Sequence, residues 1–570
     1  MKSKILYFFP FFIFFASQSY AASISAQQQA GIQAGTTLED KEIKLRNTLK
    51  NERVSPGVEE TRQKEIEQLP ASEKAMITKI EVTGIKLLSL RKIKAITFPY
   101  ENRVLTIREI QDVTNRITDA YRQEGYITSR AFLPPQKIEN GILKIEVAEG
   151  MMGKVNVQGN KFYCTSLFNR RIELKEGRPF NYTTLRQNLG IINQYPDHKV
   201  TTVLTPGQVP GTTDVLLNVK DQLPIHAGLA YDNYGSRYLR KNRYTGTLTD
   251  NNLLGFDDML TLTYQRAEGH GTYYLDSLRY LFPLTNKTQI GFYAGHSQLR
   301  LGKEFKDLDA RGKSRFYSLF LTQDLFSDDT TDLSASIGFD YKDVFNFQNG
   351  NETSRDRERV AHAGLKLDKS DSLGRTIVNN EVDDGIPNTW GALKAKDSRS
   401  SVTGSGGQFT KDVLDVVRLQ KLPLDSALLL KGQAQFAART LTATEQFQIG
   451  GISNVRAYPI GEVVGDNGQS CTAELSFPIY GIPKNIQAAP HSKGKLYDDL
   501  KLAVFYDWAN ASLRNPDGAK KNKSLSGAGW GLRYDLPENF SIRFDMAWAL
   551  DNTPSDGKNV HSWIRVSKDF

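Results

Sequence analysis

The sequence predicts an all-β transmembrane β-barrel of about 16 antiparallel strands, preceded by two small α+β units and an N-terminal helix. Three observations carry that reading. The chain opens on an export leader. It is poor in aliphatic residues yet rich in Tyr (24), Phe (29) and Gly (45). Its last 348 residues alternate polar and apolar in short segments separated by gaps of two very different lengths. The mean hydropathy of −0.44 resembles that of a soluble protein, but a barrel hides its membrane face from any average because only every second residue meets lipid. A helical membrane bundle is excluded by the scarcity of long apolar runs, and a disordered chain by the aromatics.

Taken in order, Lys2 and Lys4 precede an apolar run from Ile5 to Ala16, and Ser19-Tyr20-Ala21 ends it with a cleavage signal. Residues 1–21 read as a signal peptide. Residues 22–52 carry Leu38, Ile43, Leu45 and Leu49 among charges, an amphipathic helix that Pro56 and Gly57 stop. Residues 53–74 are charged and read as a linker.

Residues 75–150 and 151–222 form an internal repeat. Ile80-Glu81-Val82-Thr83-Gly84 alternates as a half-buried strand, and Val155-Asn156-Val157-Gln158-Gly159 does the same 75 residues later. In the first copy Ile110, Val113, Ile117 and Tyr121 share one helical face, Gly125 ends the helix, and Ile142 to Val147 closes the unit. In the second, Leu185, Leu189 and Ile192 mark the helix and Val215 to Val219 the closing strand. Each copy reads as a β-α-α-β or β-α-β unit.

Residues 223–570 allow about 22 residues for each of sixteen strands and its connection, which suits strands of ~9–11 residues plus loops. Phe282 to Asn286 reads as a short turn, while Leu301 to Lys313, Phe345 to Asp356 and Asn510 to Ser524 read as long polar loops. Ser562 to Phe570 is an amphipathic closing strand that ends on an aromatic.

Other classes find little support. The formal charge of +9 falls to +7 without Lys2 and Lys4, with no basic run, so no nucleic-acid partner is expected. Cys164 and Cys471, the two cysteines, fall in different units and read as structural and unpaired. No H-E-x-x-H, G-x-S-x-G or Walker A sequence occurs. Gly527-Ala528-Gly529-Trp530-Gly531 lies within a strand pattern rather than before a helix. No catalytic residue, metal or cofactor is expected.

Two local signatures complete the pattern. The first repeat contains Gly125-Tyr126-Ile127-Thr128-Ser129-Arg130, then Leu133-Pro134-Pro135-Gln136 and Gly141-Ile142-Leu143-Lys144. The barrel contains Val455-Arg456-Ala457-Tyr458 and, downstream, Phe505-Tyr506-Asp507-Trp508-Ala509. With the leader, the helix, the paired repeats and the barrel, these residues resemble the TpsB transporters of two-partner secretion, relatives of BamA whose repeats are POTRA domains. The chain differs from the usual V-R-G-Y and F-x-D-x-G patterns by Ala457 and Ala509.

The resemblance implies an outer-membrane pore of a Gram-negative bacterium with periplasmic POTRA domains. It exports a large partner exoprotein (TpsA: a haemolysin, adhesin or contact-dependent inhibition toxin) unfolded and without ATP. The N-terminal helix is then a plug. Arg456 locks a loop inside the lumen against Asp507, with Glu474 as a second acid and Tyr458, Val455 and Phe505 around them. Tyr126, Arg130, Pro134, Gln136 and Gly141 become the POTRA signature. Phe570 becomes the signal read by the barrel-assembly machinery, and lipid the surrounding partner. A BamA-like assembly factor is the alternative, opposed by there being two repeats rather than several and by Leu133 to Gln136. A passive porin leaves the repeats unexplained.

Overall fold

The computed structural model describes residues 58–59, 74–269, 272–490, 492–516 and 521–570. The expected leader and plug helix therefore lie outside the described residues.

In the first repeat Lys79–Thr83 runs parallel to Ile142–Ala148, which also pairs antiparallel with Arg130–Phe132. Two helices, Leu90–Thr97 and Ile107–Gln123, cover this sheet. The longer one starts with a capping box: Thr106 Oγ1 accepts from Glu109 N, and Glu109 accepts from Thr106 N at 2.8 Å. That hydrogen bonding lowers the Glu109 pKa. Ile110, Val113, Ile117 and Tyr121 are all buried against Ile80, Leu143 and Ile145. The Tyr121 hydroxyl donates to Glu149 at 2.8 Å, and burial together with that carboxylate raises its pKa.

The second repeat places Met151–Gln158 parallel to Thr212–Asp221, which pairs antiparallel with His198–Pro206. Its helices are Thr165–Arg171 and Tyr182–Ile192, so each copy runs β-α-α-β-β, with one more strand than the sequence pattern suggests. Gly84 and Gly159 occupy equivalent places. Both have φ above 80°, and a Cβ on either would press on a carbonyl of its own closing strand, Val147 or Val219. The linker contributes Val58–Glu59, a short strand paired in parallel with Thr202 and Val203. It covers part of an otherwise open sheet edge.

Sixteen strands then close a barrel. In chain order they are Ile225–Asp232, Arg243–Asp250, Met259–Ala267, Tyr273–Pro283, Thr288–Arg300, Arg311–Ser327, Thr331–Gln348 and Asn351–Asp371. The second half comprises Gly374–Gly385, Phe409–Leu422, Ser426–Ala437, Asn467–Pro478, Leu500–Ser512, Asn522–Leu536, Phe540–Ala549 and Val560–Asp569. Closure pairs Gly228–Asp232 with Arg565–Asp569, and Phe570 N still donates to Ala227 O at 2.8 Å. The repeats meet the rim formed by the turns at 251–258 and 284–287. The opposite rim carries the long connections 386–408 and 438–466, and one long connection, 479–499, lies on the repeats' own rim.

Phe345 to Asp356 is not a long loop. The strands Thr331–Gln348 and Asn351–Asp371 run through it and turn on Asn349-Gly350, both with positive φ. Asn-Gly is the tight-hairpin dipeptide, and Phe345 and Phe347 continue the alternation that its polar neighbours obscure. Cys164 and Cys471 are free, as expected, but both are exposed rather than built into a core.

Candidate functional site

The connection spanning 438–466 folds back into the lumen instead of standing above the barrel. Its middle is a two-stranded ribbon, Phe447–Ile449 with Val463–Gly465, that turns at Gly450 and Gly451. Asn454 closes the turn: its Oδ1 accepts from Gly450 N and Val455 N, and its Nδ2 donates to Gln448 O, each at 2.8 Å. Two residues on stands Arg456, which this turn aims at the wall.

Arg456 is 5% exposed and meets three carboxylates on three strands. Nε and Nη2 donate to the two oxygens of Asp507 at 2.9 and 3.0 Å, a bidentate pair, and the Arg456 backbone N–H reaches the same group at 3.1 Å. Nη1 donates to Glu474 at 2.6 Å and to Asp545 at 3.2 Å. The guanidinium lies 3.3 Å above the Phe505 ring, and the Arg456 carbonyl accepts from Trp563 Nε1 at 2.7 Å. Arg533 completes the network, donating to Glu474 at 2.9 and 3.0 Å and to Asp545 at 2.6 Å. Burial of five charges is tolerable only because each is paired and hydrogen-bonded.

Tyr458 and Val455 are fully buried with Phe505 beside the network. Tyr458 does not touch the carboxylates; its hydroxyl accepts from Asn552 N at 3.2 Å, tying the loop to the connection between the last two strands. Ala457 is not in a left-handed conformation, so the departure from glycine costs no backbone strain there. Its methyl faces Gly527, where a Cβ would stand 2.4 Å away. The glycine across the gap supplies the room.

The same loop has a second anchorage. Glu445 accepts from Lys342 Nζ at 2.8 Å and from Lys411 Nζ at 2.5 Å. Asp340 and Asp383 flank those lysines at 3.5 and 3.4 Å. Thr442 donates to Glu358, which stands opposite Lys342 in the register. Asp466, at one end of the loop, ties in the other end by accepting from Leu441 N at 2.8 Å, and accepts from Arg514 N of a neighbouring connection at 2.7 Å.

The signature residues of the first repeat lie far from the lumen in sequence and in the fold. Tyr126 is half-buried and meets Tyr121 edge-on at 6.4 Å. Arg130 opens the edge strand Arg130–Phe132 and is exposed. Gln136, two residues beyond Pro134, exchanges two hydrogen bonds with the backbone of Lys144 at 2.6 and 2.9 Å, so that its amide continues the sheet where the short edge strand stops. Gly141, at φ 72°, turns into the closing strand. Phe570 is 66% exposed at the end of the last strand.

A further buried junction joins the second repeat to the barrel rim. Asp257, on the turn at 251–258, accepts from Arg171 at 3.1 and 3.3 Å and contacts His198 Nε2 at 3.0 Å. Asp197 accepts from Asn251 at 2.6 Å and contacts His226 Nε2 at 2.8 Å. Sequence reasoning missed this junction, the Glu445 cluster, and Asp545 and Arg533. For the last two a signal existed, since both are charged at inward positions of strands that are otherwise apolar outward.

Comparison with known proteins agrees with this architecture. A family model described as haemolysin secretion/activation protein ShlB/FhaC/HecB matches residues 211–534, and one described as a POTRA domain, ShlB-type, matches residues 75–150. The outer membrane transporter CdiB of Dickeya dadantii (strain 3937) is 25% identical over 405 residues, covering 70% of this chain and 71% of its own length. The heme/hemopexin transporter protein HuxB of Haemophilus influenzae (strain ATCC 51907 / DSM 11121 / KW20 / Rd) is 22% identical over 501 residues, covering 83% and 82%. The solved structure of CdiB from Escherichia coli matches in fold with a TM-score of 0.74 at 21% identity, over 96% of this chain and all of that one.

Proposed function

The chain belongs to the ShlB/FhaC/HecB family of haemolysin secretion/activation proteins, and from that premise we propose how it acts. It is an outer-membrane transporter whose barrel spans the membrane and whose POTRA repeats stand in the periplasm. Its cargo is a large partner exoprotein, of the haemolysin, adhesin or inhibition-toxin kind. The repeats hold the arriving chain in an extended form by adding it to a sheet edge, which uses backbone hydrogen bonds and needs little sequence reading. The cargo then threads the lumen unfolded. Folding outside makes passage directional where no ATP is present.

The observation that carries this reading is the loop at 438–466. It occupies the lumen of a closed barrel and is attached by directed ion pairs and by a small apolar cluster in which Val455, Ala457 and Tyr458 meet Phe505 and Leu525 of the wall, and we propose that it leaves as a unit. Arg456 is the latch, Asp507 its principal holder, and Glu474 shares the load. The segment 22–52, read from its sequence as a plug helix, is the second obstruction we propose, and deleting residues 26–52 should raise single-channel conductance; an unchanged conductance removes that role. Phe570 serves as the handle for the assembly machinery during insertion.

The deciding experiment expresses the chain with the exoprotein-like reading frame beside its gene. Export of that product only when the chain is present supports the reading. Export regardless, with other outer-membrane barrels failing to assemble in the chain's absence, replaces it with the assembly-factor alternative.

A further inference from the structure

The outer wall of the barrel changes character sharply along the strand Arg311–Ser327. Inward positions are identified by the lumen network, since Phe316 lies under Lys342, whose ammonium meets the lumen loop. Lys313, Arg315, Tyr317 and Leu319 therefore point outward, and all four are exposed, while Gly312, Ser314 and Ser318 between them are buried. From Phe326 to Tyr317 the outward residues are largely apolar. Nine residues at ~3.3 Å each, tilted by ~40°, give a band roughly 23 Å tall, close to the height of a membrane barrel's apolar belt. Above that band the wall turns basic at once.

The register places further outward residues beside these. Arg266, Tyr274, Gln298, Lys313, Phe345 and Arg355 form one hydrogen-bonded row on six successive strands. The strand tilt shifts the row in height by ~3 Å per strand, and Arg266 and Lys313 are three strands, ~14 Å, apart. Higher up, Arg300 and Arg311 share Asp309 at 2.7 and 2.5 Å. Arg355 is matched by Glu352 and Arg357 by Asp343. Among the described residues no carboxylate lies within ion-pair distance of Arg266, Lys313 or Arg315. The other half of the wall differs. From Gly374–Gly385 round to Val560–Asp569 the upper outward positions hold Asp384, Asp412, Gln469, Asn510 and Ser562, with no Lys or Arg among the described residues.

We propose that this one-sided basic patch is a binding site for the phosphate groups of an anionic glycolipid of the outer leaflet, with Arg266, Lys313 and Arg315 as its phosphate donors. Height, sidedness and charge point the same way. On the strand Arg311–Ser327 the patch begins where the apolar band ends. Tyr264 and Tyr317 stand one outward position below Arg266 and Arg315, with Tyr274 in the row itself. Although Lys313 lies over Phe347 and Asp343 stands opposite Arg315, these three cations hold no ion pair within the described residues and can accept an anion from outside the chain. Guanidinium and ammonium groups on adjacent outward positions suit a phosphate ester, which accepts several charge-assisted hydrogen bonds. The proposal rests on the orientation with the repeats in the periplasm. It predicts that the transporter carries a lipid on one side of its wall, on strands away from the closure seam.

The test uses the full-length protein in detergent and lipid A as the probe, with binding read by native mass spectrometry. The Arg266→Gln/Lys313→Gln/Arg315→Gln variant should bind lipid A at least roughly tenfold more weakly, and so should the wild type offered lipid A stripped of its phosphates. Heat-modifiability on gels checks that the variant barrel is folded, and Arg315→Gln alone gives a graded loss should the triple variant misfold. Equal binding by wild type and variants overturns the proposal. Displacement of lipid A by inorganic phosphate at the same concentration overturns the lipid assignment, because it shows a simple anion site.

Discussion

The two anchorages of the lumen loop both hold more acids than cations, but the loop contributes opposite signs to them. At Arg456, two guanidiniums serve three carboxylates, so cations are the scarce partner. At Glu445, two ammoniums serve that acid together with Asp340 and Asp383, with Glu358 close by, so acids are in surplus. The loop contributes the scarce ion at one end and a redundant one at the other. A latch is as strong as the charge that nothing else can replace, and on that ground we propose Arg456 as the release point.

The largest test removes that ion. Arg456→Ala leaves Asp507, Glu474 and Asp545 buried around Arg533, and removing one partner of a buried pair costs about 3–5 kcal/mol. The barrel should remain inserted and heat-modifiable, because its strand ladders are untouched. Export should fall sharply, and the loop should become cleavable by added protease. Arg456→Lys should fall between, since an ammonium cannot hold Asp507 through two parallel bonds. Normal export by Arg456→Ala removes the latch.

These two anchorages were unequally legible. Val455 to Tyr458 and Phe505 to Asp507 are contiguous in sequence, so resemblance alone pairs Arg456 with Asp507, and Glu474 follows from the neighbouring strand. Asp545 and Arg533 meet them through the pairing register of the next two strands, which local alternation does not number. Glu445 lies 34 residues from Lys411 and 103 from Lys342, with no motif to join them. Each reads as an ordinary charged residue until the register is known. The same holds for Arg171 and Asp257. The repeats were readable because their cores are built from near neighbours, with Ile110, Val113, Ile117 and Tyr121 on one face. The Asn349-Gly350 hairpin was misjudged because polar residues on long strands look like a loop.

A subtler test addresses the fit around the latch instead of its charge. Ala457 and Gly527 face each other so closely that a second methyl has no room. Gly527→Ala should cost about 1–3 kcal/mol by overpacking, read as a lower thermal transition of the folded band on gels. Ala457→Gly in the same chain should restore most of it, because it removes the methyl that the new one meets. Failure of that rescue means the strand itself, not the loop, rejects the substitution, and the Ala457 contact is then not what seats Arg456.

The smallest effect is expected at the other anchorage, and its smallness is the point. Glu445→Gln removes a charge from the acid-rich side and leaves Lys342 and Lys411 flanked by Asp340, Asp383 and the nearby Glu358. The amide oxygen still accepts one lysine and the amide nitrogen can donate to an acid, so the change should cost no more than about 1 kcal/mol. Export should stay near that of the parent chain, and protease should not reach the loop. A loss as deep as that of Arg456→Ala would reverse the comparison: the loop would then be held chiefly where it enters the lumen, and Arg456 would position a loop that Glu445 secures.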